Sequence, residues 1–281
     1  MPADPAVIVT GAGGQVGLAL RATLPRGRFL AHQELDVTDR AAVWRGLKGA
    51  DVVIHLAAMT NVDECERDPA RALAVNAEGT RNVGEASAHH GARVIYVSTD
   101  YVFDGTKRDA YLEDDPPAPL NQYGCSKLKG ERYVAVGPGN LIVRTSWVFG
   151  EGTNFIRSIL SAARRGTSLT VVNDQRGRPT SAADLAAALV FLAISDVSGI
   201  LHVTGDGDPC SWADLAELAI SLAGLATPVE RIDSVAYRGT AGRVVAPRPP
   251  SSVLSLEKAR RLGVPLRDWR SSVHAYVKEL A

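Results

Sequence analysis

The chain has 281 residues, 46% of them hydrophobic and 22% charged, with 31 Lys and Arg balancing 31 Asp and Glu. Ordinary globular composition without a basic stripe sets nucleic acid aside as a partner, and this length suits one large domain or two unequal ones. The longest apolar run, "LAAALVFLAI" from Leu185 to Ile194, is too short to span a bilayer. Three widely spaced cysteines, Cys65, Cys125 and Cys210, form neither a disulfide framework nor a metal-binding pair. With no basic, apolar, small-residue leader in "MPADPAVIVTGAGG", a cytoplasmic protein is expected, with no membrane partner.

Four runs read as strands: Ala6 to Thr10, Asp51 to Ala57, Arg93 to Ser98 and Leu141 to Ser146. They are almost continuously apolar, as parallel strands covered on both faces must be. Helical patterns lie between them at Gln15 to Leu24, Pro69 to His89 and Ser126 to Val136. Strand and helix in alternation predict a doubly wound α/β sheet, Rossmann-like in arrangement. After about Phe149 helical stretches persist (Asn154 to Arg165, Ala183 to Ile194, Trp212 to Ala223, Ser255 to Leu262, Trp269 to Leu280) while strands thin out. The expected division is a dinucleotide-binding domain over 1–150, to which later segments are free to return, and a smaller C-terminal lobe over 151–281, mainly substrate-binding.

The first strand runs into "VTGAGGQVGLAL". Gly11, Gly14 and Gly17 give G-x-x-G-x-x-G between strand and helix, where glycines permit a tight reversal, backbone approach to a pyrophosphate and close helix–sheet packing. Gln15 and Val16 would present their amides at the helix start. The end of the next strand, "FLAHQELDVTD", places His32 and Gln33 where an acid would select NAD or an arginine NADP; Glu34 falls late and Arg28 early. Either NADH or NADPH is therefore expected. Asp36 and Val37 would lie beside the adenine, and Asp39 suits a helix cap. In "HLAAMTNVDECE", Ala57 and Ala58 are small enough for a cofactor to cross, and Thr60 offers a hydroxyl. His55 reads as a satisfied core histidine and Asn76 as a support for loop backbone.

The fourth strand ends in "YVSTDYVFDG", with Thr99 at its carboxyl end, where ligands bind in open α/β sheets. Then "NQYGCSKLKGE" holds Tyr123 and Lys127 one helical turn apart, on one face. A hydroxyl residue followed by Tyr-x-x-x-Lys, behind a glycine loop, resembles the extended short-chain dehydrogenase/reductases. The ordered set "GAGGQVG", "LDVTD", "AAMTNVDECE", "STDYVFDG", "YGCSKLKGE", "DQRGRPT" and "APRPPSS" resembles the dTDP-4-dehydrorhamnose reductase family over nearly the whole chain.

That resemblance implies reduction of the C4 ketone of a dTDP-4-keto-deoxysugar by a nicotinamide coenzyme. Tyr123 would be the proton donor, Thr99 would hold the carbonyl oxygen, and Lys127 would lower the phenol's pKa and bond the nicotinamide ribose, so that Tyr123 and Lys127 also count as coenzyme contacts. On the substrate side it implies Tyr101 and Val102. The residues themselves add Trp147 as a stacking surface and, among cations for a diphosphate, Arg178 and Arg248, with Arg176 and Arg243 nearby. Asp104-Gly105 should turn, and the acidic Glu113 to Asp115 should face solvent. Some relatives are linked to Mg²⁺, but no tight ligand cluster here demands a metal, and a homodimer is left open. Two alternatives stand beside this reading: a 4-ketoreductase for another dTDP-deoxysugar, and a non-catalytic nucleotide-binding subunit of the kind that regulates methionine adenosyltransferase. The intact Thr99, Tyr123 and Lys127 argue against the second.

Overall fold

A computed structural model describes residues 5–240 and 245–280. Its first half alternates as the apolar runs require. Strand β1 (Val7–Thr10) leads through the glycine loop to helix α1 (Gln15–Thr23), then β2 (Arg28–Leu30), α2 (Arg40–Gly46) and β3 (Val52–His55). Two short helices follow, α3 (Val62–Arg67) and α4 (Pro69–Leu73), then a π-helical segment (Ala74–Gly79) that runs into α5 (Thr80–His90). The chain continues through β4 (Arg93–Thr99), a 3-10 turn (Asp100–Val102), α6 (Gln122–Ala135) and β5 (Leu141–Thr145).

The remaining elements are β6 (Val148–Phe149), α7 (Phe155–Arg164), β7 (Leu169–Val172), β8 (Arg176–Gly177), β9 (Thr180–Ser181), α8 (Ala182–Ala193), β10 (Gly199–His202), β11 (Cys210–Ser211), α9 (Trp212–Leu222), β12 (Val229–Ile232), α10 (Ser234–Thr240), α11 (Glu257–Arg261) and α12 (Trp269–Glu279).

Six strands form one parallel sheet in the order β10-β5-β4-β3-β1-β2. Consecutive strands step one way from β1 to β2 and the other way to β3. The crevice at that reversal is where ligands settle in such sheets. Helices α1 and α8 pack on one face around Val9, Leu20, Ile54, Leu185 and Leu189. The other face meets α2, α5 and α6 around Val43, Val53, Val83, Val94 and Val134. Both faces are thus covered, which is why the strand sequences carry almost no polar alternation. The doubly wound expectation is met, and β10, from beyond residue 151, pairs with β5 in the main sheet. Helices α7, α9 and α12 form a further core, in which Ile156, Leu160, Leu215 and Val273 pack round Trp269. Among the described residues no helix is long and apolar enough to cross a membrane.

Helix α6 starts four residues earlier than the periodicity predicts. Asn121 caps it by accepting from the Gly124 N–H at 2.8 Å, and that cap brings Tyr123 into the first turn. The stretch from Pro69 is helical as expected, although interrupted by the π segment.

Candidate active site

A cleft of about 890 Å³ opens above the carboxyl ends of β1, β3, β4 and β5. Its floor on one side is the glycine loop. Gly11 adopts φ +68°, and a Cβ there would stand 2.4 Å from the Ala57 amide nitrogen. A Cβ on Gly17 would meet the Ala12 backbone at 2.6 Å, so both glycines are sterically required. Most helices here close their N-terminus with a side chain, as Asp39, Asn61, Asp68, Asn121, Asn154, Ser181, Ser211 and Asp268 show. Helix α1 has Gly14 at that position and no side-chain cap. Its first N–H groups and partial positive charge face the cleft through Gly14, Gln15, Val16 and Gly17. Gln15 Oε1 is buried without a hydrogen-bond partner, as is Thr145 Oγ1 at the end of β5, and both residues line the same cleft. A donor-lined cradle with unsatisfied polar groups suits a dinucleotide pyrophosphate and its polar appendages.

Asp36, Val37, Ala57, Ala58 and Thr60 all line this cleft. Asp36 is held below the usual carboxylate range by the backbone N–H and hydroxyl of Thr38. Asp39 caps α2 as expected. Arg28 begins β2 and its guanidinium goes to the Gly46 carbonyl; His32 and Gln33 stay exposed at the rim. His55 and Asn76 are supports. Thr80 gives its hydroxyl proton to Asn76 O, so it accepts from His55 Nε2 at 3.0 Å, and Thr10 donates to His55 Nδ1 at 2.7 Å. Burial pushes the imidazole down to about 3. Asn76 clamps both backbone polar groups of Met59 and reaches Ser126 Oγ at 2.9 Å.

Thr99, Tyr123 and Lys127 all line the cleft. Thr99 Oγ1 donates to Asp100 Oδ1 at 3.1 Å and accepts from the Tyr101 N–H at 3.2 Å. Burial raises the Tyr123 phenol above its ordinary value, with a hydrogen bond to Thr99 pulling the other way. This corrects the expectation that Lys127 depresses it in the protein alone. Lys127 Nζ is committed to the Val97 carbonyl at 2.7 Å and lies 4.1 Å from the Tyr96 ring centroid. Burial drives the lysine down to about 7, opposed by Glu131. Glu131 is itself buried, taking two hydrogen bonds from Arg144 (2.9 and 2.7 Å) and one from Ser98 (2.6 Å).

On the far side of the cleft stand Tyr101, Trp147 and Arg248. Tyr101 lies edge-on to Tyr123 with centroids 6.1 Å apart. Arg248 pairs with Asp63 at 2.9 Å. Trp147 takes a left-handed backbone, φ +47°, and stacks on Trp212 at 3.6 Å.

Two expected substrate contacts fall elsewhere. Val102 has no exposed surface and packs with Phe103, Tyr111, Leu128 and Leu254, because the 3-10 turn points it inward while Tyr101 faces the cleft. Arg178 gives its N–H groups to the carbonyls of Gly207 (2.7 Å) and Leu254 (2.6 Å), outside the cleft. Arg176 bonds the Pro209 carbonyl from an exposed position, and Arg243 lies outside the described residues. Asn154 caps α7 and Phe155 packs on Trp212. Asp104 and Gly105 do turn. Of the three acids after Leu112, Asp115 pairs with Lys107 at 2.5 Å and Glu113 accepts from the His202 N–H, while Asp114 has no partner among the described residues. Among the described residues no group of three His, Cys, Asp or Glu is placed to hold a metal. Sequence reasoning missed Arg71, Trp212 and Asp100 as cleft residues. Asp100 stood in a quoted motif, but nothing local marked its carboxyl as facing inward.

Comparison with known proteins gives the family. The model of the family described as "RmlD substrate binding domain" matches residues 5–281. The dTDP-4-dehydrorhamnose reductase of Sinorhizobium fredii is 38% identical over 294 aligned positions, covering 96% of this chain and 95% of the relative. This chain belongs to the dTDP-4-dehydrorhamnose reductase family. A probable dTDP-4,6-dihydroxy-2-methyloxan-3-one 4-ketoreductase of Streptomyces antibioticus is 38% identical over 95% of this chain and 92% of its own. The crystal structure of the Bacillus anthracis dTDP-4-dehydrorhamnose reductase in complex with NADP superposes at TM-score 0.92 with 33% identity, covering 98% of this reductase-family chain and 99% of that one.

Proposed function

We propose that this protein is an NAD(P)H-dependent ketoreductase that converts the C4 ketone of dTDP-4-dehydro-6-deoxy-L-mannose to dTDP-L-rhamnose. The observation that supports the reading is that Thr99, Tyr123 and Lys127 line the same cleft as the uncapped start of α1. The dinucleotide, when bound, supplies the hydride. Gly11, Gly14, Gln15, Val16 and Gly17 would hold its pyrophosphate, and Asp36, Val37, Ala57, Ala58 and Thr60 the rest of the groove. Lys127 and Tyr123 would sit against its nicotinamide end.

Tyr123 gives up the proton that the developing alkoxide needs. Its raised pKa keeps it fully protonated at neutral pH, which is the state a donor must occupy. Thr99 stabilises the same oxygen by a hydrogen bond. Positive charge reaching the cleft with the coenzyme lowers the phenol's pKa at the moment of use, while Lys127 stays anchored on the Val97 carbonyl beside it. Tyr101 and Trp147 bound the sugar, and Arg248 faces the substrate diphosphate. On this reading residues 1–150, joined by α8 and β10, hold the coenzyme, and most of 151–281 holds the substrate. A cytoplasmic setting is supported by three free cysteines.

The test is NADPH and NADH oxidation with dTDP-4-keto sugars, comparing wild type with Tyr123→Phe. General-acid loss should lower kcat about 10²- to 10⁴-fold with KM little changed. A wild type that binds nucleotide yet turns over no keto sugar would overturn the reading. A panel of other dTDP-4-keto-deoxysugars, compared by kcat/KM, tests whether dTDP-4-dehydro-6-deoxy-L-mannose is the preferred substrate.

A further inference from the structure

A hydroxyl has one proton to donate, and Thr99 stands between two acceptors, the Tyr123 phenol oxygen and Asp100 Oδ1 at 3.1 Å; the proton that goes to Asp100 is withheld from both Tyr123 and a ligand. While that bond holds, Thr99 has no proton for a substrate oxygen. Asp100 is 3% exposed and lines the cleft. Its other oxygen accepts from Ser252 Oγ, 152 residues away, and the remaining partners are backbone N–H groups. Among the described residues no cation is paired with it. An ionised carboxylate accepts only, whereas a protonated one has an O–H to give.

We propose that Asp100 is a positioning residue that works in its protonated form, donating to Thr99 so that the Thr99 proton turns towards the substrate's carbonyl oxygen. The inference rests on the ketoreductase reading and deepens it. Burial without a countercharge pushes the Asp100 carboxyl up to about 7, against the pull of Ser252 and Thr99, so the protonated form is accessible at neutral pH. The titratable groups around it are Tyr101 on its own turn, Tyr123 and Lys127 on α6, Asp63 and Cys65 on α3, and Arg248 on the segment that carries Ser252. Arg248 is already paired with Asp63. Above the carboxyl's pKa, Asp100 reclaims the Thr99 proton and one donor to the developing oxyanion disappears.

The experiment is a pH profile of kcat, with saturating coenzyme and keto sugar, for wild type, Asp100→Asn and Thr99→Val. Wild type should descend with rising pH from a high plateau to one about 10²-fold lower, the usual cost of a single oxyanion donor. In Asp100→Asn an amide N–H donates to Thr99 at every pH, so kcat should stay near the upper plateau with no limb. In Thr99→Val the limb should vanish with the rate near the lower plateau. The proposal is overturned if wild type lacks the limb, if either variant keeps it, or if Asp100→Asn sits at the lower plateau throughout. Failure of the ketoreductase reading looks different: wild type then turns over no keto sugar at any pH.

Discussion

His55 gives the protein a calculable weakness to acid. Its ring is fully buried between Thr10 and Thr80, accepting at Nδ1 and donating at Nε2. A second proton would confront the Thr10 hydroxyl and place a charge in the sheet. The folded pKa is therefore about 3, against 6.5 when unfolded. A group depressed in this way contributes its full stability above the unfolded value and loses it progressively as the pH falls towards the folded one. Between about pH 7 and about pH 5 the unfolded state gains the proton while the folded state does not, which costs about 2 kcal/mol from this residue. That is a sizeable part of the 5–15 kcal/mol typical of a folded domain.

Urea unfolding at the two pH values measures the loss, and His55→Gln supplies the control. The substitution lowers stability at both pH values through imperfect hydrogen bonds, but it should shrink the acid-induced difference by about 2 kcal/mol. His202, also buried and lowered to about 3, contributes equally to both proteins and cancels. An acid-induced loss of the same size in wild type and variant would refute this account of His55.

Glu131→Gln should strip the buried Arg144 of its countercharge and cost about 3–5 kcal/mol, seen as a lowered Tm; a loss below about 1 kcal/mol would count as failure. Gly11→Ala must strain a φ of +68° and push on the Ala57 backbone, so calorimetry should find dinucleotide affinity at least about tenfold weaker. Ser252→Ala removes a hydrogen bond that favours ionised Asp100, so the descending limb of the kcat profile should move to higher pH; movement to lower pH would contradict the assigned direction. Arg248→Met should raise KM for the dTDP-sugar about tenfold with kcat little altered, measured by steady-state kinetics.

The sheet was legible because its strands are buried on both faces, a demand that writes itself into sequence as uninterrupted Val, Ile and Leu. The glycine loop and the Tyr123–Lys127 spacing were legible because each is a local geometric requirement. What was not legible depends on residues distant in the chain. Arg178 looked like an anion ligand, but its carbonyl partner at Leu254 is 76 residues away. Val102 and Tyr101 are neighbours in one motif, and only the packing of Leu128 and Leu254 decides which turns inward. Lys127 carries the expected motif position, yet its charge state follows from burial beneath the sheet edge. Asp100 owes its environment to Ser252 in the same way.

The π-helical segment Ala74–Gly79 amounts to one surplus residue within a helix. Each residue of an α-helix turns the chain by about 100°, so the surplus resets the direction of everything on one side of it relative to the other. Asn76 sits in that segment with one hand on the Met59 loop and the other on α6. Chain length is thus itself a determinant here. Many substitutions on the outer side of this helix would pass unnoticed, whereas excising a single codon would straighten it, swing the asparagine away, and unfasten the Met59 loop from α6 without touching Thr99, Tyr123 or Lys127.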